Sequence, residues 1–149
     1  MSEIHPTGID AYKPAEIAEK IRIAGVAKVQ LPLHSMATLA VLAGAFVALG
    51  AAAYTMVMTG ADPMSGADRL LGGTVFSLGL ILVIVGGAEL FTGNALIVMA
   101  WVDGLVSSPA LARTWLIVYF GNLVGAVVVA ATMAASGPRT GGGGQAAAA

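Results

Sequence analysis

The residue types able to do chemistry are few in this chain, and they gather in one stretch. Glu89 stands inside an apolar run that extends from Leu70 to Val102 and is followed by Leu90-Phe91-Thr92-Gly93-Asn94. A carboxylate in such surroundings needs hydrogen-bond donors, because a charge left alone in hydrocarbon is costly. Its expected role is to accept hydrogen bonds from unwound backbone while facing away from any conduit, since a carboxylate on the wall of an anion path would repel the anion. Thr92 offers a hydroxyl, and Gly93 and the residues around it offer backbone N–H groups. Donors of that kind can replace the hydration of a small anion for a moment without holding it as a full positive charge would. Leu90 and Phe91 beside them supply an apolar constriction, and Asn94 reads as either a local cap or a lining group.

Other chemistries are poorly provided for. The two histidines, His5 and His34, read as a terminal residue and a capping or interfacial residue. There is no cysteine, so disulfides and thiolate metal sites are excluded. Paired carboxylates, a metal cluster and a nucleophile–base set are all missing from the pattern, so neither an enzyme nor a bound metal or cofactor is expected. With a formal net charge of -1 and no basic-aromatic surface or phosphate-loop glycines, nucleic acid is not an expected partner.

The elements that must position the Glu89 stretch follow from hydropathy. Hydrophobic residues make up 58% of the chain and charged residues 10%, against about 25% charge in a soluble domain; mean hydropathy is +0.89. The run from Leu70 to Val102 would be roughly 50 Å long as one helix, while a bilayer core is roughly 30 Å thick. The predicted solution is a span interrupted over residues 86–94. Its first limb runs from Leu70 to about Ala88, and its second, Ala95 to Val102, is about 12 Å and too short to cross alone. A half-crossing helix that starts after the break points its N–H groups and partial positive charge toward the membrane interior.

Around this broken span the pattern predicts a flexible start over 1–13, an amphipathic helix over 14–30, and a membrane half-domain over 36–134. A flexible tail or linker over 135–149 ends with four glycines, Gln145 and four alanines. The 14–30 helix carries Ile17, Ile21 and Ala24 on one stripe and is expected in the interface or under the bundle. The first span, Met36 to Met58, has ten alanines or glycines among its residues, and Gly44, Ala48, Ala51 and Ala52 mark a helix contact on it. The third span, Leu111 to Ala134, holds Gly121 and Gly125 at close-packing spacing. Between them lies Asn122, which reads as a hydrogen-bonding group across a helix interface. No secretory signal is seen, and the excess of Lys and Arg before the first span places the amino terminus inside.

Three ordered blocks carry a family resemblance. They are Phe76-Ser77-Leu78-Gly79-Leu80-Ile81-Leu82, then Gly87-Ala88-Glu89-Leu90-Phe91-Thr92-Gly93-Asn94, and Trp115-Leu116-Ile117-Val118-Tyr119-Phe120-Gly121-Asn122-Leu123-Val124-Gly125-Ala126. With these the sequence resembles the formate/nitrite transporter family, especially its formate channels. The resemblance implies an all-α integral membrane protein: the amino-terminal three-span half of an aquaporin-like six-helix channel, with the full-length subunits forming a homopentamer in the plasma (inner) membrane. It places Phe76, Leu80, Leu90 and Phe91 at the pore constriction, Thr92, Gly93 and Asn94 in the anion-contacting loop, and Glu89 as structural support of the broken helix. Lys28 resembles a basic residue near the cytoplasmic entrance that attracts anions.

The second inverted half, with the histidine that would face Thr92, has no counterpart in this sequence. Either the sequence is part of a longer protein or another chain supplies that half. The function expected is a channel for small monovalent anions, formate or nitrite, passive or proton-linked. The alternatives are a hydrosulfide or acetate channel of the same family, or a membrane scaffold protein with a continuous or partner-filled second span and no hydrated path.

Overall fold

The computed structural model describes residues 12–62 and 64–137, and all of its regular structure is helical. His5, the flexible start before Tyr12, Pro63 of the first loop, and the tail from Pro138 lie outside the described residues. Helix α1 is Pro14–Val29, α2 is Leu33–Met58, α3 is Gly66–Val85, α4 is Phe91–Val102 and α5 is Ser108–Ala135. Among the described residues three helices, α2, α3 and α5, are long and apolar enough to cross a membrane.

Helix α2 is the central strut, with α5 packed along one side and α3 along the other. The contacts depend on small residues. A Cβ built on Gly44 would lie 1.9 Å from the Asn122 carbonyl oxygen, and one on Gly125 would lie 2.0 Å from that of Val41. At the other crossing, Gly50 meets the Phe76 carbonyl and Gly79 that of Phe46, at 2.7 and 2.8 Å. In a bilayer, where helices gain little from leaving lipid for one another, such backbone approach is the main source of packing energy. The contact on α2 therefore runs through Ala40, Ala43, Gly44 and Gly50. Of the residues that composition singled out, Gly44 lies at the tightest contact, while Ala48 and Ala52 are only partly covered and Ala51 faces away.

Two helices start earlier than hydropathy indicates. Helix α3 begins at Gly66 because the Ser65 hydroxyl accepts the Asp68 N–H at 3.3 Å, capping a polar first turn ahead of Leu70. Helix α5 begins at Ser108 with Pro109 in its first turn. Helix α1, in turn, lies under the bundle with Ile21 of the expected stripe half-buried, while Ile17 and Ala24 are exposed. Gly25, Val26 and Val29 pack toward Ile97, Ala100, Val106 and Leu111, while Ile17 and Ile23 remain exposed. Gly25 sits at the centre of that contact, where a Cβ would lie 3.4 Å from Ala100 and Ile97. Arg22 reaches Asp103 beyond α4 at 3.4 Å, an exposed ion pair on the surface.

Candidate functional site

The second apolar segment breaks after Val85. Gly86 caps α3, and Gly87 turns with φ +60, a conformation that costs a side-chain-bearing residue about 1–2 kcal/mol. The Gly87 N–H donates to the Ile84 carbonyl at 3.2 Å and the Ala88 N–H to that of Val83 at 3.0 Å, the paired closure of a Schellman motif. The chain then runs without helix through Ala88, Glu89 and Leu90 before α4 starts at Phe91. The second limb therefore includes Phe91-Thr92-Gly93-Asn94, which the sequence pattern had assigned to the break. A 3₁₀ turn at Ala95–Ile97 tightens it midway.

Most of the polar groups of the break are held by side chains or backbone of the neighbouring helices, although the buried Asn94 Oδ1 has no hydrogen-bond partner among the described residues. The Glu89 N–H donates to the Leu39 carbonyl of α2 at 3.2 Å. The Asn122 side chain donates from Nδ2 to the Ala40 carbonyl at 2.8 Å and to the Glu89 carbonyl at 3.0 Å, and its Oδ1 accepts the Phe91 N–H at 2.9 Å. The Glu89 carboxylate is 5% exposed. It accepts from Lys28 Nζ at 2.7 Å and from Asn94 Nδ2 at 2.8 Å. Its donors are thus two side chains, where the sequence suggested unwound backbone; the nearby backbone donors are taken by Leu39 and Asn122 instead. Asn94 is fully buried, with Trp115 Nε1 donating to its carbonyl at 3.0 Å.

Beside the break lies a recess of about 300 Å³ lined by Lys28 of α1, Leu80, Val83 and Ile84 of α3, Gly87, Ala88 and Leu90 of the break, and Thr92 and Gly93 of α4. The recess thus gathers Lys28, Leu80, Leu90, Thr92 and Gly93 from the predicted set. Phe76, Phe91, Asn94 and Glu89 are not on its wall. Phe76 sits one turn before Leu80 and is 42% exposed. Phe91 turns to α5, edge-to-face with Trp115 and Tyr119 at centroid distances of 6.2 and 5.6 Å.

The donor supply at the recess is specific. Thr55, Thr59, Thr74, Thr114 and Thr132 each bond a carbonyl one turn back in their own helices. Thr92 stands in the first turn of α4, where the preceding carbonyls are non-helical, and its hydroxyl has no such partner among the described residues. The N–H groups of Thr92 and Gly93 belong to the donors that a helix start leaves free. The electrostatics favour an anion as well: the ion pair presents its cationic member, Lys28, to the recess and keeps its carboxylate behind the wall. Among the described residues no group of three or more metal-ligating side chains is present.

Asn122 bonds across the α2–α5 interface as the sequence suggested, but its hold on the break, and that of Trp115, were not anticipated. Trp115, Tyr119 and Asn122 recur at helical spacing, which puts all three on the face of α5 that meets the break.

Comparison with known proteins gives a consistent result. The pattern of the family described as formate/nitrite transporter matches residues 15–149. The chain is 44% identical over 131 residues to the formate channel FocA of Escherichia coli strain K12, covering 86% of this chain and 45% of that protein. It is 38% identical over 121 residues to the formate channel BtFdhC of Bacillus thuringiensis, covering 80% and 47%. A solved structure of a pentameric formate channel with formate bound superposes with a TM-score of 0.60 at 36% identity, over 90% of this chain and 47% of that one. The chain therefore spans about half the length of these relatives.

Proposed function

The chain belongs to the formate/nitrite transporter family, and from that premise we propose that it forms one wall of a channel for small monovalent anions, formate first and nitrite second. The observation that carries this reading is the Thr92–Gly93 donor end of α4 opening on the recess beside Leu80 and Leu90. An anion approaching Lys28 gives up part of its hydration between Leu80 and Leu90 and receives hydrogen bonds from the Thr92 hydroxyl and the adjacent N–H groups. No fixed positive charge sits at those donors, so the ion leaves as readily as it enters. Phe76 stands one turn along α3 as an outer apolar constriction. Phe91 acts from behind the wall, and Asn94 supports Glu89 and takes no direct contact with the anion.

In this reading a second three-span half faces Thr92 and closes the path, and full-length subunits assemble as a homopentamer. The membrane is the plasma (inner) membrane with the amino terminus cytoplasmic, in keeping with the Lys and Arg excess before α2. The recess that opens beside the break supports this reading over a scaffold role, which called for a continuous or partner-filled second span and no hydrated path.

Thr92→Val tests the reading, since it keeps the bulk and removes the hydroxyl donor. In the reconstituted full-length transporter, formate flux should fall about tenfold, the worth of one hydrogen bond to a charged partner, or the preference between formate and nitrite should change. Unchanged flux of both anions would sink the role given to Thr92.

A further inference from the structure

We propose that Asn122 is a positioning residue for conduction: its side chain fixes the direction in which the Thr92–Gly93 donors of α4 point. The inference rests on the reading of those donors given above and adds to it a residue that lines no part of the recess.

The geometry is a three-way clasp. One carboxamide holds α2 through the Ala40 carbonyl, the break through the Glu89 carbonyl, and the first N–H of α4 through Phe91. All three bonds are between 2.8 and 3.0 Å, so both donor hydrogens and the acceptor oxygen are engaged. Phe91 is the first residue of α4 and Thr92 the second. The orientation of the opening turn is therefore set by the group that holds the Phe91 N–H.

The clasp itself has little freedom. The Asn122 carbonyl lies so close to α2 that a Cβ on Gly44 would come within 1.9 Å of it. Gly121 and Gly125 on either side press on Ala40 and Val41 in the same way. The carboxamide thus projects from a point where the two helices cannot slide past one another. Without it, the Phe91 N–H and the Glu89 carbonyl lose their Asn122 partner, and the first turn of α4 is free to rotate to find others. Such a rotation moves Thr92 relative to Leu80 and Leu90 while leaving the helix packing intact.

The test uses the full-length transporter in liposomes, with Asn122→Leu, which has the same branched shape and no polar atoms, and Asn122→Ala, which is smaller. Assembly is read by size-exclusion chromatography, and formate and nitrite flux are measured alongside Thr92→Val. The expected result is normal assembly of at least one Asn122 variant, formate flux about tenfold down, and a formate-to-nitrite ratio displaced from wild type in the same direction as in Thr92→Val. Assembled Asn122 variants with wild-type flux and ratio, beside an impaired Thr92→Val, would overturn the positioning role alone. Impaired Asn122 variants beside a wild-type Thr92→Val would overturn the donor reading and this proposal with it. Loss of assembly in both Asn122 variants would overturn the proposal in favour of a purely folding role.

Discussion

At the scale of residues, the Lys28–Glu89 pair is the interaction with the most to lose. Glu89 is 5% exposed while Lys28 is part-exposed on the recess, so removing the lysine leaves a carboxylate without its counter-charge in a largely dry position. Lys28→Met should therefore lower the midpoint of thermal disassembly in detergent more than the double variant Lys28→Met with Glu89→Gln, in which no charge remains. A double variant no better than the single one would mean that the pair is not what holds the break to α1. The need of this carboxylate for a hydrogen-bond donor was legible from the sequence, since a lone acid in an apolar run is costly when left unpaired. Its partner was not, since Lys28 and Glu89 are separated by 61 positions and only the fold shows that α1 lies beneath the break.

At the scale of elements, the same glycine does opposite things at different places. Gly44 faces the Asn122 carbonyl on α5, whereas nothing lies within 4 Å of a Cβ on Gly73 in α3. Gly44→Ala should abolish assembly of the purified protein, while Gly73→Ala should be neutral or gain up to about 1 kcal/mol from helix propensity; equal behaviour of the two would refute the α2–α5 crossing. Spans and their break could be read from length against bilayer thickness, because that comparison needs no partner. Helix starts and contact faces could not. The start of α3 depends on a Ser65 cap upstream of the apolar signal, and the contact face of α2, where alanine and glycine occur on every side, depends on where α3 and α5 settle. The α1 stripe was only partly legible for a related reason: Ile21 is half-buried but Ile17 and Ala24 are exposed, because the contact with Ile97 and Ala100 centres on Gly25, Val26 and Val29.

At the scale of the whole molecule, a wet recess has to be told apart from lipid-facing surface, and the chain has no cysteine of its own to interfere. Thr92→Cys should react with a small, water-soluble thiol reagent in membranes, and Ile81→Cys, on the exposed apolar side of α3 and off the recess wall, should not. Equal protection of both would remove the aqueous path. The central place of α2 also bears on how such a protein is made. When the break emerges during synthesis, α2 is already in the bilayer, so the Leu39 carbonyl can take up the Glu89 N–H at once. The Phe91 N–H has no such early acceptor, because Asn122 follows 31 residues later. Until that part of α5 leaves the ribosome, the nascent segment must be sheltered by water or by the insertion machinery, and a chain stalled short of Asn122 should be cleared by membrane proteases faster than one stalled just beyond it.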